Sequence, residues 1–285
     1  MTGDGTQAKP FCEINQAVGT GKSYIQLKGN GAAMANMYQS VTVDSGRQVA
    51  ILGPGRDVPA AQQALVSGVT VAGGARVTLS GLSVTNNFGQ AAIQCSGSAS
   101  LYVKNAQVLN TYNSGGGIYA NQCAKVSAER TRFDSIYGNG ILIVGGSNHR
   151  IINNAITNGA RNSANSVEQY GIRLSGNADG IFSFNTIVNN LQGILCDSSA
   201  SITDSIVVMN GTGAQVAGNC TTLRTIVDAS RVSLDTSYQL TANSLNDACC
   251  VDKGMPDANM TIKDDYLGTK RPLGGGYDIG FHEAR

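Results

Sequence analysis

Seven short apolar positions recur along the middle of the chain, at Val84, Val108, Phe133, Ile156, Ile187, Ile206 and Ile226, separated by 24, 25, 23, 31, 19 and 20 residues. Two residues beyond them stand Asn86, Asn110, Ser135, Asn158 and Asn189, and five before them Leu79, Val103, Ala128, Ile151, Phe182 and Ser201. A second column, Ile93, Ile118, Ile141, Ile172 and Ile194, follows small residues, with Gly117, Gly140, Gly171 and Gly193 directly before the last four. One unit is repeated about seven times, and that periodicity limits the fold more than any other feature of the chain.

A unit of 19 to 31 residues holding two or three short alternating strands cannot bury its apolar face alone. Stacking identical coils solves this, because each strand pairs in parallel with its counterpart about 4.8 Å above. The isoleucine column then becomes an interior ladder, and the asparagine column at the turns stacks as well, each amide bonding its neighbour and the local backbone. Leucine-rich repeats share the period but need leucines at fixed offsets that are missing here. Helical repeats conflict with 36 glycines and abundant asparagine, both poor helix formers. The prolines agree: none lies between Pro59 and Pro256, as uninterrupted strand pairing requires.

The reading is therefore all-β, a right-handed parallel β-helix forming one solenoid domain. Residues 10–18 are amphipathic, with Phe11, Ile14 and Val18 on one helical face, so residues 1–22 are expected to form an N-terminal cap with a short helix over the open first coil. Coils follow over 23–230, beginning with strands at 24–27, 40–43 and 48–52, and residues 231–285 form an irregular C-terminal cap.

Charge excludes several partners. Charged residues are 14% of the chain, and 20 Lys+Arg against 19 Asp+Glu leave a net charge of +1, which offers no footprint for nucleic acid or an anionic membrane. The longest apolar run, Ile141 to Val144, is far short of a transmembrane segment. No signal peptide precedes Thr2-Gly3-Asp4-Gly5, which reads as a start that has been trimmed. Seven scattered cysteines without metal-type spacing fit an oxidising, extracytoplasmic setting. Cys95–Cys123 and Cys196–Cys220 are 28 and 24 residues apart, close to one coil, and a turn at the second cysteine would bring each pair within bridging distance. Cys249–Cys250 is too strained a pair to assume, and Cys12 has no evident partner.

Gly3-Asp4-Gly5-Thr6 with Lys9-Pro10-Phe11, Ile14 and Ala17 resembles the opening signature of secreted members of the pectate-lyase-like superfamily of right-handed β-helix proteins. The stretch Gly68-Val69-Thr70-Val71 through Leu82-Ser83-Val84-Thr85-Asn86 is similar to their first regular coil. The tail from Arg271-Pro272-Leu273 through Gly274-Gly275-Gly276-Tyr277-Asp278-Ile279-Gly280 to Glu283 looks like the terminal segment of bacterial surface β-helix repeat proteins. This resemblance implies the fold and a bacterial secreted or cell-surface location. It does not imply an activity. The paired Asp, Gly-His-Gly and Arg-Ile-Lys of polygalacturonase-like hydrolases, the Arg-x-Pro-x-x-Arg of pectate lyases and the Asp-Pro-His of epimerases are all absent.

Candidate residues come from the strands that start at the repeated glycines. Alternation turns the isoleucines inward and leaves an outward row of Gln94, Tyr119, Leu142, Arg173 and Leu195, then one of Ser96, Asn121, Val144, Ser175 and Asp197. Tyr119 can stack on a sugar ring and Arg173 can hold a carboxylate. The 31-residue coil adds Gly159 to Tyr170 and brings Arg161, Glu168 and Tyr170 near Arg173 in sequence. A polysaccharide lyase needs a cation for the uronate carboxylate, a base and an acid. Arg173 could be the cation and Tyr170, or a lysine the sequence does not single out, the base, with Tyr119, Arg161, Glu168 and Arg150 as substrate-binding residues. Glu168 could contribute to a Ca2+ site, although one carboxylate is a poor site. Asp264-Asp265 with Asp278 could also hold calcium, or could brace the cap through turns. His149 falls in the apolar column of Val77, Leu101 and Val126 and is expected inside, with Arg150 outward; His282 lies in the cap. Two functions stay open: a lyase acting on an acidic polysaccharide by β-elimination, or a non-catalytic adhesin or glycan-binding module. Ice binding fits less well, since the outward row lacks a regular threonine column.

Overall fold

The computed structural model describes residues 6, 9–31, 36–85, 90–109, 111, 116–159, 169–211, 213–255 and 262–284. The repeat folds as a parallel β-solenoid with three faces. The first face stacks Val41–Val43, Val69–Val71, Ala91–Ser96, Gly116–Asn121, Ile141–Val144, Tyr170–Ser175 and the opening parts of Gln192–Thr203 and Val216–Leu223. The second stacks Tyr24–Gln26, Gln48–Leu52, Arg76–Ser80, Ser100–Lys104, Lys125–Glu129, His149–Ile152 and Gly180–Ser183, then the closing parts of the same two long strands. The third is a seven-stranded sheet running from Leu65–Val66 to Ile206–Val208.

The isoleucine column is continuous. Ile93, Ile118, Ile141, Ile172 and Ile194 lie in register and are fully buried. The glycines before them have a packing reason. A Cβ at Gly117 would lie 2.9 Å from Phe133 Cδ1, one at Gly140 2.7 Å from Ile156 Cγ2 and one at Gly171 2.5 Å from Ile187 Cγ2. Each glycine thus makes room for the large third-face side chain of its own coil.

The third-face column holds from Val84 to Ile187 and then differs from expectation. Ile187 pairs with Val207, not Ile206, and Phe182 pairs with Ile202, not Ser201. A one-residue slip exchanges inside for outside, so Ser201 is exposed and Ile202 buried. The asparagine column stacks where it is described: Asn189 Nδ2 donates to Asn158 Oδ1, and Asn158 Nδ2 donates to Asp134 Oδ1 at 2.7 Å. Ser135, Asn158 and Asn189 take left-handed backbone (φ +57°, +57° and +63°), and Asn86 and Asn110 lie outside the described residues. An additional, buried amide stack is formed one residue later, by Asn190, whose N–H and Nδ2 both donate to Asn210 Oδ1 at 3.0 and 3.1 Å. A second stack fills the corner between the second and third faces. Asn154 donates to Asn185 Oδ1, and Asn185 Nδ2 donates to the Ile151 carbonyl at 2.8 Å. These side chains satisfy backbone groups that the tight corners leave unpaired.

At the N-terminal end, the helix α1 (Ile14–Gly19) buries Ile14, Ala17 and Val18, with Phe11 packed against the same core. Asn15 Nδ2 donates to Ser40 O at 2.7 Å and Arg47 to the Val18 carbonyl, tying the helix to the first coils. The C-terminal segment lies along the outside of the third face. Ile206, Val208 and Val188 pack against Val232, Leu240, Cys249, Cys250 and Ile279, and Ala155 packs with Tyr266 and Phe281. Its hub is Arg271, fully buried, with Nε 3.1 Å from Glu283 Oε1 and Nη2 donating to Gly280 O at 2.8 Å.

Two inter-coil disulfides join Cys95 to Cys123 and Cys196 to Cys220, with Cα separations of 5.9 and 5.1 Å. Cys95 is in register with Ala120, and the left-handed turn at Gln122 (φ +54°) carries Cys123 back beneath it. The adjacent Cys249 and Cys250 are also bonded, contrary to expectation. The helix α2 (Ser244–Cys249) ends there, and both cysteines turn into the apolar cluster outside the third face. Cys12 is free and exposed.

Candidate functional site

The first face presents the outward row as a single line. Gln94, Tyr119, Leu142, Arg173 and Leu195 are neighbours in successive coils and all half-buried. Alternation along each strand sends Ile118 and Ala120 to the core and leaves Tyr119 between them facing out. Arg173 Nε donates to Asp197 Oδ2 at 3.0 Å, with the two side chains 21% and 34% exposed. A pair this open to solvent stabilises the fold by only about 0–1 kcal/mol. Its effect is to orient the guanidinium above the sheet beside Leu142 and Leu195. Tyr170 opens the same strand, in register with Gln192. Its N–H donates to Asn139 Oδ1 and its carbonyl accepts from Gly140 N–H, both at 2.9 Å, so the preceding coil pins the start of the Arg173 strand.

The structure brings Tyr119, Tyr170 and Arg173 to one face but not Arg150. That residue stands on the second face, in register with Ser127 and Ile181, and its Nε donates to Glu129 Oε1 at 2.6 Å. Arg161 and Glu168 lie outside the described residues.

Both histidines sit in structural surroundings. His149 is buried; its Nδ1 accepts from Val126 N–H at 3.1 Å, so Nε2 carries the proton and donates to Gly145 O at 3.0 Å. Burial pushes its pKa below the ordinary histidine value, and the ring is neutral. His282 is pushed down for the same reason. The carboxylates offered for calcium are occupied by backbone. Asp278 accepts from the N–H groups of Asp252 and Ala284, and Asp265 from those of Thr269 and Glu283. Asp264 pairs with Arg130 at 3.3 Å. Among the described residues no three His, Cys, Asp or Glu side chains gather closely enough to hold a metal ion.

The outer side of the second face was overlooked in the sequence. Tyr102 stands there with Arg76 Cζ 5.6 Å and Lys125 Nζ 5.8 Å from its ring centre. The signal was present, since Thr78, Tyr102, Ser127 and Arg150 recur at coil spacing as the Gln94 to Leu195 row does.

A family model described as "Right handed beta helix region" matches residues 67–232, from the coil that begins at Val69 to the last third-face bridge at Ile226 and just beyond. No curated protein matches the chain.

Proposed function

The chain belongs to the right-handed β-helix family, and on that premise we propose that it is an extracytoplasmic carbohydrate-active protein whose first face binds an acidic polysaccharide. The fold alone hosts many functions. The observation that carries the reading is the alignment of Tyr119, Leu142, Arg173 and Leu195 in consecutive coils. It sets an aromatic platform about 10 Å from an oriented guanidinium, at about 4.8 Å per coil. Stacking on the ring and carboxylate binding at the arginine together suit a uronate-containing chain. The two inter-coil disulfides support an oxidising location, secreted or on a bacterial surface.

A second reading, β-elimination, is favoured by Tyr170 and Arg173 both being half-buried on one strand whose Gly171, Ile172 and Leu174 are buried. Arg173 would neutralise the uronate carboxylate and a deprotonated Tyr170 would take the proton beside it. The glycosidic C–O bond then breaks, its oxygen takes a proton from water, and an unsaturated uronate remains. Incubation with pectic, alginate, ulvan and glycosaminoglycan polymers, with and without calcium, tests both readings. Affinity electrophoresis should show retardation on one acidic polymer, weakened about tenfold or more in Arg173→Ala. Rising ultraviolet absorbance on that polymer would establish the lyase. Failure to bind any polymer would overturn the proposal.

A further inference from the structure

We propose a second ligand site, distinct from the first face: a pocket for a carboxylated sugar unit at the edge between the second face and the C-terminal segment, centred on Arg130 and Asn105. Two hollows meet there and share Arg130. The larger, about 580 Å³, lies beneath the loop from Gly53 to Val58 and is lined by Ser80, Asn105 and Arg56 among others. Its size is within the range of about 300–1,000 Å³ usual for small-molecule sites. The smaller, about 150 Å³, continues towards Lys104, Arg150, Asn153 and Lys263.

Three buried polar atoms along these hollows have no hydrogen-bond partner among the described residues: Arg130 Nε, Asn105 Oδ1 and Asn153 Oδ1. Leaving such a group unmet costs about 1–3 kcal/mol, and folded proteins keep few of them. Three along two adjoining hollows mark where a ligand supplies the missing partners. Arg130 Nε needs an acceptor and the two amide oxygens need donors. A carboxylate flanked by hydroxyl groups, as on a uronic acid, offers both.

Charge selects the acidic sugar over a neutral one. Lys104, Arg130, Arg150 and Lys263 face only Glu129 and Asp264 around the smaller hollow. Those carboxylates are taken by Arg150 and Arg130, and among the described residues neither Lys104 nor Lys263 has an ion-pair partner. The site is also rigid. Asn105 and Arg130 take left-handed backbone (φ +49° and +53°) at the same corner of consecutive coils. Behind them, buried Arg56 lies 3.9 Å over the Tyr266 ring and donates to the carbonyls of Arg130 and Tyr266 at 2.7 and 2.8 Å. That contact locks the loop to the C-terminal segment that walls the pocket.

Calorimetric titration of the full chain with galacturonate, glucuronate and their short oligomers, and with galactose as a neutral control, tests the site. Two variants spare the fold: Lys104→Glu at an exposed position, and Asn105→Gly, which keeps the left-handed turn and removes the amide. Added to Arg173→Ala, which disables the first face, each should weaken the remaining binding of the acidic sugar about tenfold or more. Galactose should bind at least about tenfold more weakly than galacturonate. Loss of all binding in Arg173→Ala alone, or no further loss when Lys104→Glu or Asn105→Gly is added to it, would overturn the proposal and assign the sugar to the first face. Equal affinity for galactose, or no binding of any acidic sugar, would also overturn it.

Discussion

On the third face, Ala155–Thr157, Thr186–Val188 and Ile206–Val208 are buried on both sides, whereas on the first face Gly116–Asn121 and Tyr170–Ser175 carry half-buried or exposed residues outside. Both come from the same repeat. The C-terminal segment covers the third with Ile279, Phe281 and Tyr266, and the first has no such cover among the described residues. A solenoid face is therefore defined by what lies on its outer side. Apolar residues on both sides of a strand signal internal docking, and a polar row broken by one aromatic and one arginine signals a surface left for a ligand.

Removing the cover should show the largest effect. Arg271→Ala leaves Glu283 buried without its counter-charge, a change that costs about 3–5 kcal/mol; urea unfolding would measure it, and an unchanged midpoint would mean the cover is not integral to the fold. Next in size is the corner stack. Asn185→Ala orphans the Asn154 amide and the Ile151 carbonyl, at about 1–3 kcal/mol for each group left unmet. Acidification acts on the second face, through His149, and on the C-terminal cover, through His282. His149 and His282 have folded pKa values below the unfolded one, so the unfolded chain binds more protons once pH drops below about 6.5, the ordinary histidine value. Thermal stability should hold near neutrality and fall as pH drops below that value, and His149→Gln should flatten the slope. The smallest effect is expected on the bare face, where Tyr119→Ala should change stability by no more than about 0.5 kcal/mol. A larger loss would mean that the first face, too, is packed against something.

The same contrast explains what the sequence disclosed. Columns are readable where one side of a strand is polar, so Ile93 to Ile194 and Tyr119 to Leu195 were assigned without error. The slip came at Ile206 and Val207, adjacent apolar residues that are both buried, one by the core and the other by the C-terminal segment. Alternation carries no information there. The Asn158–Asn189 stack was legible, and the buried stacks beside it were not, because the left-handed position and the buried position are neighbours and asparagine suits both, as Asn189 and Asn190 show. The bonded pair Cys249–Cys250 was beyond any spacing rule, since it depends on where α2 stops. The edge pocket was equally invisible: Arg56 reaches Asn105 and Arg130 from a loop of irregular length, and only the return of the chain brings in Lys263, more than a hundred residues further on.

The last long strand, Val216–Leu223, has a bearing on how these molecules behave towards one another. Stacked coils have no natural length, and a final strand open on one edge could seed the addition of another copy, end to end, into a fibre. Here the template is spoiled. Its register with the preceding strand shifts between Cys196 and Ala200, Gly218 turns left-handed at φ +74°, and the disulfide at Cys220 holds the irregularity in place. The edge is thereby broken into two short runs that a flat strand cannot match, which works against end-to-end pairing with another copy.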